Sequence, residues 1–160
     1  MKRLFALLWW LVLLAPVWAQ AQPAEPLHTG DMAQLRAAYQ GRPLLVHVWS
    51  LSCAPCLVEM PQWAERIRKN PAVAFVFIST DGLHQAAAVA RRLAMSGVKP
   101  ARSLVYADDF VERLQFEIAP DWLGELPRTQ GVSGNSPAWV TLGPVSDGAF
   151  RQWVACALRR

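Results

Sequence analysis

Cysteine and histidine are scarce in this chain: its 160 residues hold three of each. The cysteines are Cys53, Cys56 and Cys156. One Cys-x-x-Cys with no second pair leaves out the two-pair ligand set of a structural zinc site, and equally a multi-bridge disulfide scaffold. Charge is sparse as well. Charged residues make up 18% of the chain and the basic ones are scattered, which argues against a nucleic-acid surface or a strongly acidic partner. No internal repeat or low-complexity run is present. No uninterrupted apolar stretch reaches the roughly 20 residues that a membrane-spanning helix needs.

The longest apolar run, Leu4 to Leu14, follows Lys2-Arg3 and precedes Ala19-Gln20-Ala21. A basic start, an apolar middle and a small-residue cleavage site describe an export signal over residues 1–21, with Val17-Trp18-Ala19 as a competing site. A retained membrane anchor is the alternative, disfavoured by Pro16 and by the short run; no cysteine follows it to carry a lipid. Export implies an oxidising compartment such as the bacterial periplasm, where disulfides persist. Residues 22–30 then read as a flexible lead and 31–160 as one domain. Without Lys2 and Arg3, the sixteen basic residues fall to 14 against 12 acidic, a net of +2. Five tryptophans remain to help build a core.

The most informative feature is Cys53-Ala54-Pro55-Cys56, directly after the apolar run Leu44-Leu45-Val46-His47-Val48-Trp49. Two thiols at this spacing are within disulfide reach. At a helix N-terminus the first is favoured as a thiolate by free N–H groups and the helix dipole. As a structural staple the pair would be weak, because closing a loop of two intervening residues constrains the unfolded chain little.

The surrounding pattern alternates. Asp31 is positioned to cap a short helix through Tyr39. Leu44 to Trp49 predicts a central strand covered on both faces, and Leu57, Met60, Ala64 and Ile67 predict a helix after the cysteines, kinked at Pro61. A strand over Val73–Ile78 follows, then a helix from Leu83 to Ser96 ended by Gly97. Next come a short strand over Ser103–Tyr106 and a helix capped by Asp108 or Asp109, carrying Val111, Leu114 and Ile118. A hairpin around Ser133-Gly134-Asn135 and a last helix with Phe150, Trp153, Val154, Ala157 and Leu158 complete the order. The expectation is an α/β fold. Its mixed central sheet has parallel strands plus a C-terminal antiparallel hairpin, with helices on both faces and the site at the carboxyl ends of the strands.

Trp49 four positions before Cys53, the Cys53-Ala54-Pro55-Cys56 pair, Glu59-Met60-Pro61 and Gly124-Glu125-Leu126-Pro127-Arg128-Thr129 together resemble the thioredoxin fold. Within it they are most similar to the TlpA-like, cytochrome-c-maturation group of exported reductases. The spacing of Pro127 and Gly143, sixteen residues apart, matches the thioredoxin cis-proline and its following glycine. The resemblance implies thiol–disulfide oxidoreductase activity, a cis Pro127 facing the cysteines, and an additional segment between Cys56 and Pro127 that includes Leu83–Ser96. It also implies a protein disulfide as substrate and a membrane electron donor. Two residues depart from the pattern: Ser52 replaces the usual aromatic before the first cysteine, and His47 stands where thioredoxin has a buried acid.

In this reading Cys53 is the nucleophile and Cys56, beneath it, the resolving thiol. His47 is a candidate proton acceptor for Cys56, with a core histidine as the alternative, and Glu59 is a weaker candidate or a solvent-facing helix residue. Trp49, Trp122, Leu126 and Arg128 are candidates for the substrate groove; Trp63 and Trp139 serve packing. Cys156, nearly opposite the apolar stripe of its helix, is a bystander. No cofactor beyond the Cys53–Cys56 dithiol is expected, nor a nucleic-acid partner, and the chain should act as a monomer. A disulfide oxidant or isomerase is the same-class alternative. From a different class comes a copper or zinc module using Cys53, Cys56 and His47, with His28 and His84 in reserve.

Overall fold

The structure, a computed structural model, describes residues 23–100, 102–134 and 136–159. The expected export signal at 1–21 and Asn135 of the expected hairpin turn lie outside them. Six strands form one sheet: β1 (Glu25–Leu27), β2 (Leu44–Trp49), β3 (Ala74–Gly82), β4 (Arg102–Tyr106), β5 (Arg128–Ser133) and β6 (Ser136–Leu142). Five α-helices accompany them: α1 (Asp31–Ala38), α2 (Ala54–Lys69), α3 (Ala86–Met95), α4 (Val111–Ile118) and α5 (Asp147–Ala157). The strand order is β1-β4-β3-β2-β5-β6. The first four strands are mutually parallel, and β5 runs antiparallel to both β2 and β6, so the mixed sheet with a C-terminal hairpin is as expected.

Period-two alternation along β2 builds two cores at once. Leu45 and Trp49 join the core that carries α2, α3 and α5, with Met60, Trp63, Phe75, Phe77, Val89 and Phe150. Leu44, Val46 and Val48 face the other way, onto α1 and α4, with Leu35, Val76, Leu104, Leu114 and Trp122. Every residue of β2 is buried, which is why its sequence reads as a continuous apolar run.

The additional segment between Cys56 and Pro127 includes a βαβ crossover: a 3-10 turn at Leu83–Gln85 leads into α3, and β4 then enters the sheet between β1 and β3. The predicted helix from Leu83 therefore begins as a tighter turn, and Gly97 ends it at φ +72°. Helix α2 runs from Ala54 to Lys69 with Pro61 inside it, so the proline does not divide the element.

Three expectations are corrected. Residues 22–30 are not simply a flexible lead: Glu25–Leu27 pairs parallel with Leu104–Tyr106, and Leu27 is buried where it caps the second core. Asp31 is not the cap of α1; Gly30 is, in the left-handed region, while the Asp31 carboxylate accepts the His28 N–H at 2.8 Å. Neither Asp108 nor Asp109 caps α4. Phe110 occupies that position, and Asp108 instead accepts from Thr29 N–H at 2.6 Å and pairs with His28 at 2.7 Å. The Asp108 carboxylate finds partners on the loop at His28 and Thr29, far away in sequence, that local capping rules do not register, while the Asp31 carboxylate turns back onto the His28 N–H just before its helix.

Candidate active site

β2 delivers the chain to the site and α2 carries it away. Cys53 is the N-cap of α2, in extended backbone, and its Sγ accepts the Cys56 N–H at 3.2 Å. Pro55, in the first turn, has no N–H to offer that sulfur. Cys53 and Cys56 form a disulfide with Cα atoms 5.2 Å apart. Cys53 is half-buried and Cys56 has no exposed surface. Ala54 and Pro55 between them are exposed.

The loop into Cys53 is tied at three points. The Cys53 N–H donates to the Ser50 carbonyl at 3.3 Å, the Ser50 and Ser52 hydroxyls meet at 3.1 Å, and the Leu51 N–H donates to the Asp81 carboxylate at 2.9 Å. Sequence reasoning did not single out Asp81, because its partner lies thirty residues away and one strand over.

Across the cleft, the Leu126–Pro127 peptide is cis. The register of β2 with β5 pairs Val48 with Arg128, so Pro127 falls opposite Trp49, where β2 gives way to the cysteine loop. Cys53 packs against the α2-side core, and Leu126 packs against both cores. The Pro127 carbonyl accepts from Gly143 N–H at 2.8 Å, so the proline and the glycine sixteen residues on meet directly.

His47 is entirely buried below this surface. Its Nδ1 is 2.9 Å from the Thr129 hydroxyl, its register partner on β5. The ring lies 4.7 Å from Trp63 and 5.1 Å from Phe77, and among the described residues Nε2 has no hydrogen-bond partner, so neither nitrogen bonds to a cysteine. Burial first, and the Arg66 charge second, push its pKa down to about 3. An imidazole held there is a poor acceptor for a thiol proton, and the geometry supports the core reading.

Glu59 is not solvent-facing. It is buried, and its Oε1 accepts from Arg66 Nη1 at 3.0 Å and Val145 N–H at 2.8 Å. Burial raises its pKa, while the Val145 N–H, Arg66 and Trp63 act in the opposite direction. Arg66, also buried, donates further to the Val145 carbonyl at 2.6 Å and to Asp147 at 2.9 Å. Its guanidinium sits 4.6 Å from the Trp63 ring centre. Glu59 and Arg66 thus bolt α2 to the loop before α5.

Three expected groove residues are placed elsewhere. Trp49 has no exposed surface and belongs to the α2-side core. Trp122 is 5% exposed, with its indole N–H donating to the Glu125 carbonyl at 2.9 Å. Arg128 is likewise buried, its guanidinium 5.8 Å from the Trp122 ring centre. Trp49 ends β2 and Arg128 begins β5, where strand alternation points side chains into the layers, Trp122 packs into the other core from the loop after α4, and Leu126 is half-buried. Cys156 is a free, half-buried thiol on α5. His28 pairs with Asp108, whose carboxyl is held down to about 2 by hydrogen bonds from Thr29 first and His28 after. His84 packs beside Gly82. Among the described residues no group of three or more His, Cys, Asp or Glu is arranged to hold a metal ion.

What this arrangement can do is exchange disulfides: a half-exposed sulfur at a helix N-terminus, a buried partner sulfur and an adjacent cis-proline strand. Together with the strand order it defines a thioredoxin-like fold with a Cys-x-x-Cys disulfide. Solved structures agree on the fold. A secreted disulfide oxidoreductase of Mycobacterium tuberculosis, described as homologous to E. coli DsbE, is 21% identical, with 74% of this chain and 84% of that one covered at a TM-score of 0.58. A thiol:disulfide interchange protein of the thioredoxin family from Chlorobium tepidum is 20% identical over 88% of this chain and 100% of that one, at a TM-score of 0.61. A thiol-disulfide isomerase from Corynebacterium glutamicum is 16% identical over 78% and 86%, at 0.62. No protein-family model matches the chain, nor does any curated protein.

Proposed function

We propose that this protein is an exported thiol–disulfide oxidoreductase that reduces disulfides in a protein substrate. The observation that carries the reading is the Cys53 sulfur accepting an N–H of the first turn of α2, with Cys56 buried behind it. In the reduced protein the same N–H stabilises a thiolate. That thiolate attacks one sulfur of the substrate disulfide and expels the other as a thiolate, which takes up a proton. Cys56, deprotonated, then attacks the Cys53 sulfur, releases the second substrate thiol and leaves Cys53–Cys56 oxidised. Two electrons pass to the substrate, and a membrane-bound dithiol donor restores them.

Export rests on the leader-like pattern of Lys2-Arg3, Leu4–Leu14 and Ala19-Gln20-Ala21. The M. tuberculosis relative in fold is described as secreted. Among the described residues, no helix is long and apolar enough to cross a membrane. The periplasm is the compartment we infer, with the protein acting as a monomer and without nucleic acid.

Replacing Cys56 with Ala should accumulate substrate joined to Cys53 by a mixed disulfide in the exported fraction; a Cys53→Ser, Cys56→Ala control should trap nothing. Equilibration with glutathione tests direction. A reductase should lie nearer the about −270 mV of thioredoxin than the about −120 mV of a strong oxidant. A value at the oxidising end would replace the reductase with an oxidant or isomerase.

A further inference from the structure

We propose that Asp81 is a positioning residue for Cys53, a role that rests on the oxidoreductase reading above and extends it to the β3 end of the sheet. The parallel ladder between β2 and β3 ends at the pair Trp49 and Ser79. Beyond it Ser50 and Leu51 lie outside the ladder, and among the described residues the Leu51 N–H has no main-chain acceptor. β3 answers with an irregularity. Its register with β4 passes from Ser79 opposite Val105 to Gly82 opposite Tyr106, so Thr80 and Asp81 bulge out of the ladder. Bulges of this kind re-aim side chains beside functional sites.

Here the bulge turns the Asp81 carboxylate toward the cysteine loop, where Oδ2 accepts the Leu51 N–H at 2.9 Å. The same oxygen accepts the Ser79 hydroxyl, and the Asp81 N–H returns to the Ser79 Oγ at 3.1 Å. Ser79 is fully buried, so the carboxylate is clamped from a rigid base. The chain from Ser79 through Asp81 to Leu51 ends two residues before the nucleophile. It meets the second tie of that loop, the Cys53 N–H on the Ser50 carbonyl. Holding Leu51 therefore holds the direction in which the chain enters the first turn of α2. The alignment of the Cys53 sulfur with the Cys56 N–H depends on that direction. Because the bond needs an oxygen acceptor and not a charge, an asparagine can replace the aspartate.

The test uses the full chain. Asp81→Ala should slow alkylation of reduced Cys53 by iodoacetamide at pH 7 by about tenfold, and shift its equilibrium with glutathione about fivefold toward the disulfide, as a thiolate loses stabilisation. Asp81→Asn should restore both values to within about threefold of the natural chain, which loss of general stability would not predict. A Ser79→Ala variant, which frees the carboxylate without removing it, should fall between. It serves as the test if the alanine variant does not fold, with natural values in Ser79→Ala then overturning the proposal. Exchange of the Leu51 amide provides an independent reading: it should be protected in the natural protein, and an unprotected amide overturns the assignment. If Cys53 of the natural protein is itself inert, the oxidoreductase reading fails. If Cys53 is reactive and Asp81→Ala matches it in rate and equilibrium, only the positioning role fails.

Discussion

His47 sits at the centre of the sheet with one hydrogen bond, two aromatic neighbours and no water-facing surface. Its pKa of about 3, against an ordinary 6.5, couples it to stability. Between those values the unfolded chain takes up a proton that the folded chain refuses. Stability is therefore complete above pH 6.5 and declines as pH falls toward 3, at a slope approaching ~1.4 kcal/mol per pH unit from this group. Urea unfolding of the natural chain and of His47→Gln between pH 7 and 4 checks it: the variant should lose this slope, and parallel curves would refute it. Arg66 makes a second residue-scale prediction. Arg66→Met leaves the buried Glu59 with the Val145 N–H but without its counter-charge, at a cost of about 3–5 kcal/mol, and adding Glu59→Leu should return much of that. Unfolding midpoints of the two single variants and the double variant measure the coupling. His47 and Glu59 are visible in the sequence only as types. The sequence fits His47 as either a base or a core residue, and Glu59 as a weaker base or a solvent-facing helix residue, because which partner fills a buried site is a matter of other strands and helices.

At the scale of elements, α5 meets β5 at two points: a close approach at Gly131 and the Ser133 hydroxyl, which donates to the Ala157 carbonyl at 3.2 Å. A Cβ at Gly131 would lie 2.3 Å from the Trp153 ring, which itself stacks on Trp139 at 5.8 Å between ring centres. Gly131→Ala should cost about 1–3 kcal/mol by overpacking, measured as a lowered unfolding midpoint, with the Cys53–Cys56 equilibrium unchanged because the contact lies away from the cysteines. An unaltered midpoint would mean that α5 yields freely. Elements with a clear period were legible: β2 from its unbroken apolar run, α2 from Leu57, Met60, Ala64 and Ile67, and α5 from Phe150, Trp153, Val154 and Ala157. Caps were not. Asp31 and Asp108 satisfy the local rule for an N-cap, yet both carboxylates serve the loop at His28 and Thr29, and the Gly30 N–H is taken by Glu117 at 2.8 Å. Asp108 and Glu117 reach this loop from far along the chain, while Asp31 bonds locally, on the outer side of its helix.

For the whole molecule, the edge strand β1 carries a consequence. Three residues pair it with β4 alone, yet Leu27 is buried and the Ala24 N–H reaches the Ala86 carbonyl at 3.4 Å. A chain beginning at residue 29 should fold with the same disulfide but lose roughly 2–3 kcal/mol from Leu27 burial, and the bared edge of β4 should promote association. Denaturant midpoints and light scattering test both effects; equal midpoints would show that β1 contributes nothing. Three residues without helical or alternating period carry too little signal to be read as a strand, and only the presence of β4 as a template makes them one.

Local chemistry settled early which atoms could react and which way the layers would stack. A Cys-x-x-Cys after a two-sided apolar strand and before a helix states both, since strand period, helix period and thiol spacing are properties of neighbouring residues. Packing decided the rest. Trp49, Trp122 and Arg128 turned inward, Glu59 went to Arg66, and Asp81 reached the cysteine loop from an adjoining strand. Those outcomes depend on which groups the fold brings within hydrogen-bonding range, and for residues thirty or eighty positions apart that range is set by the sheet and not by the chain between them.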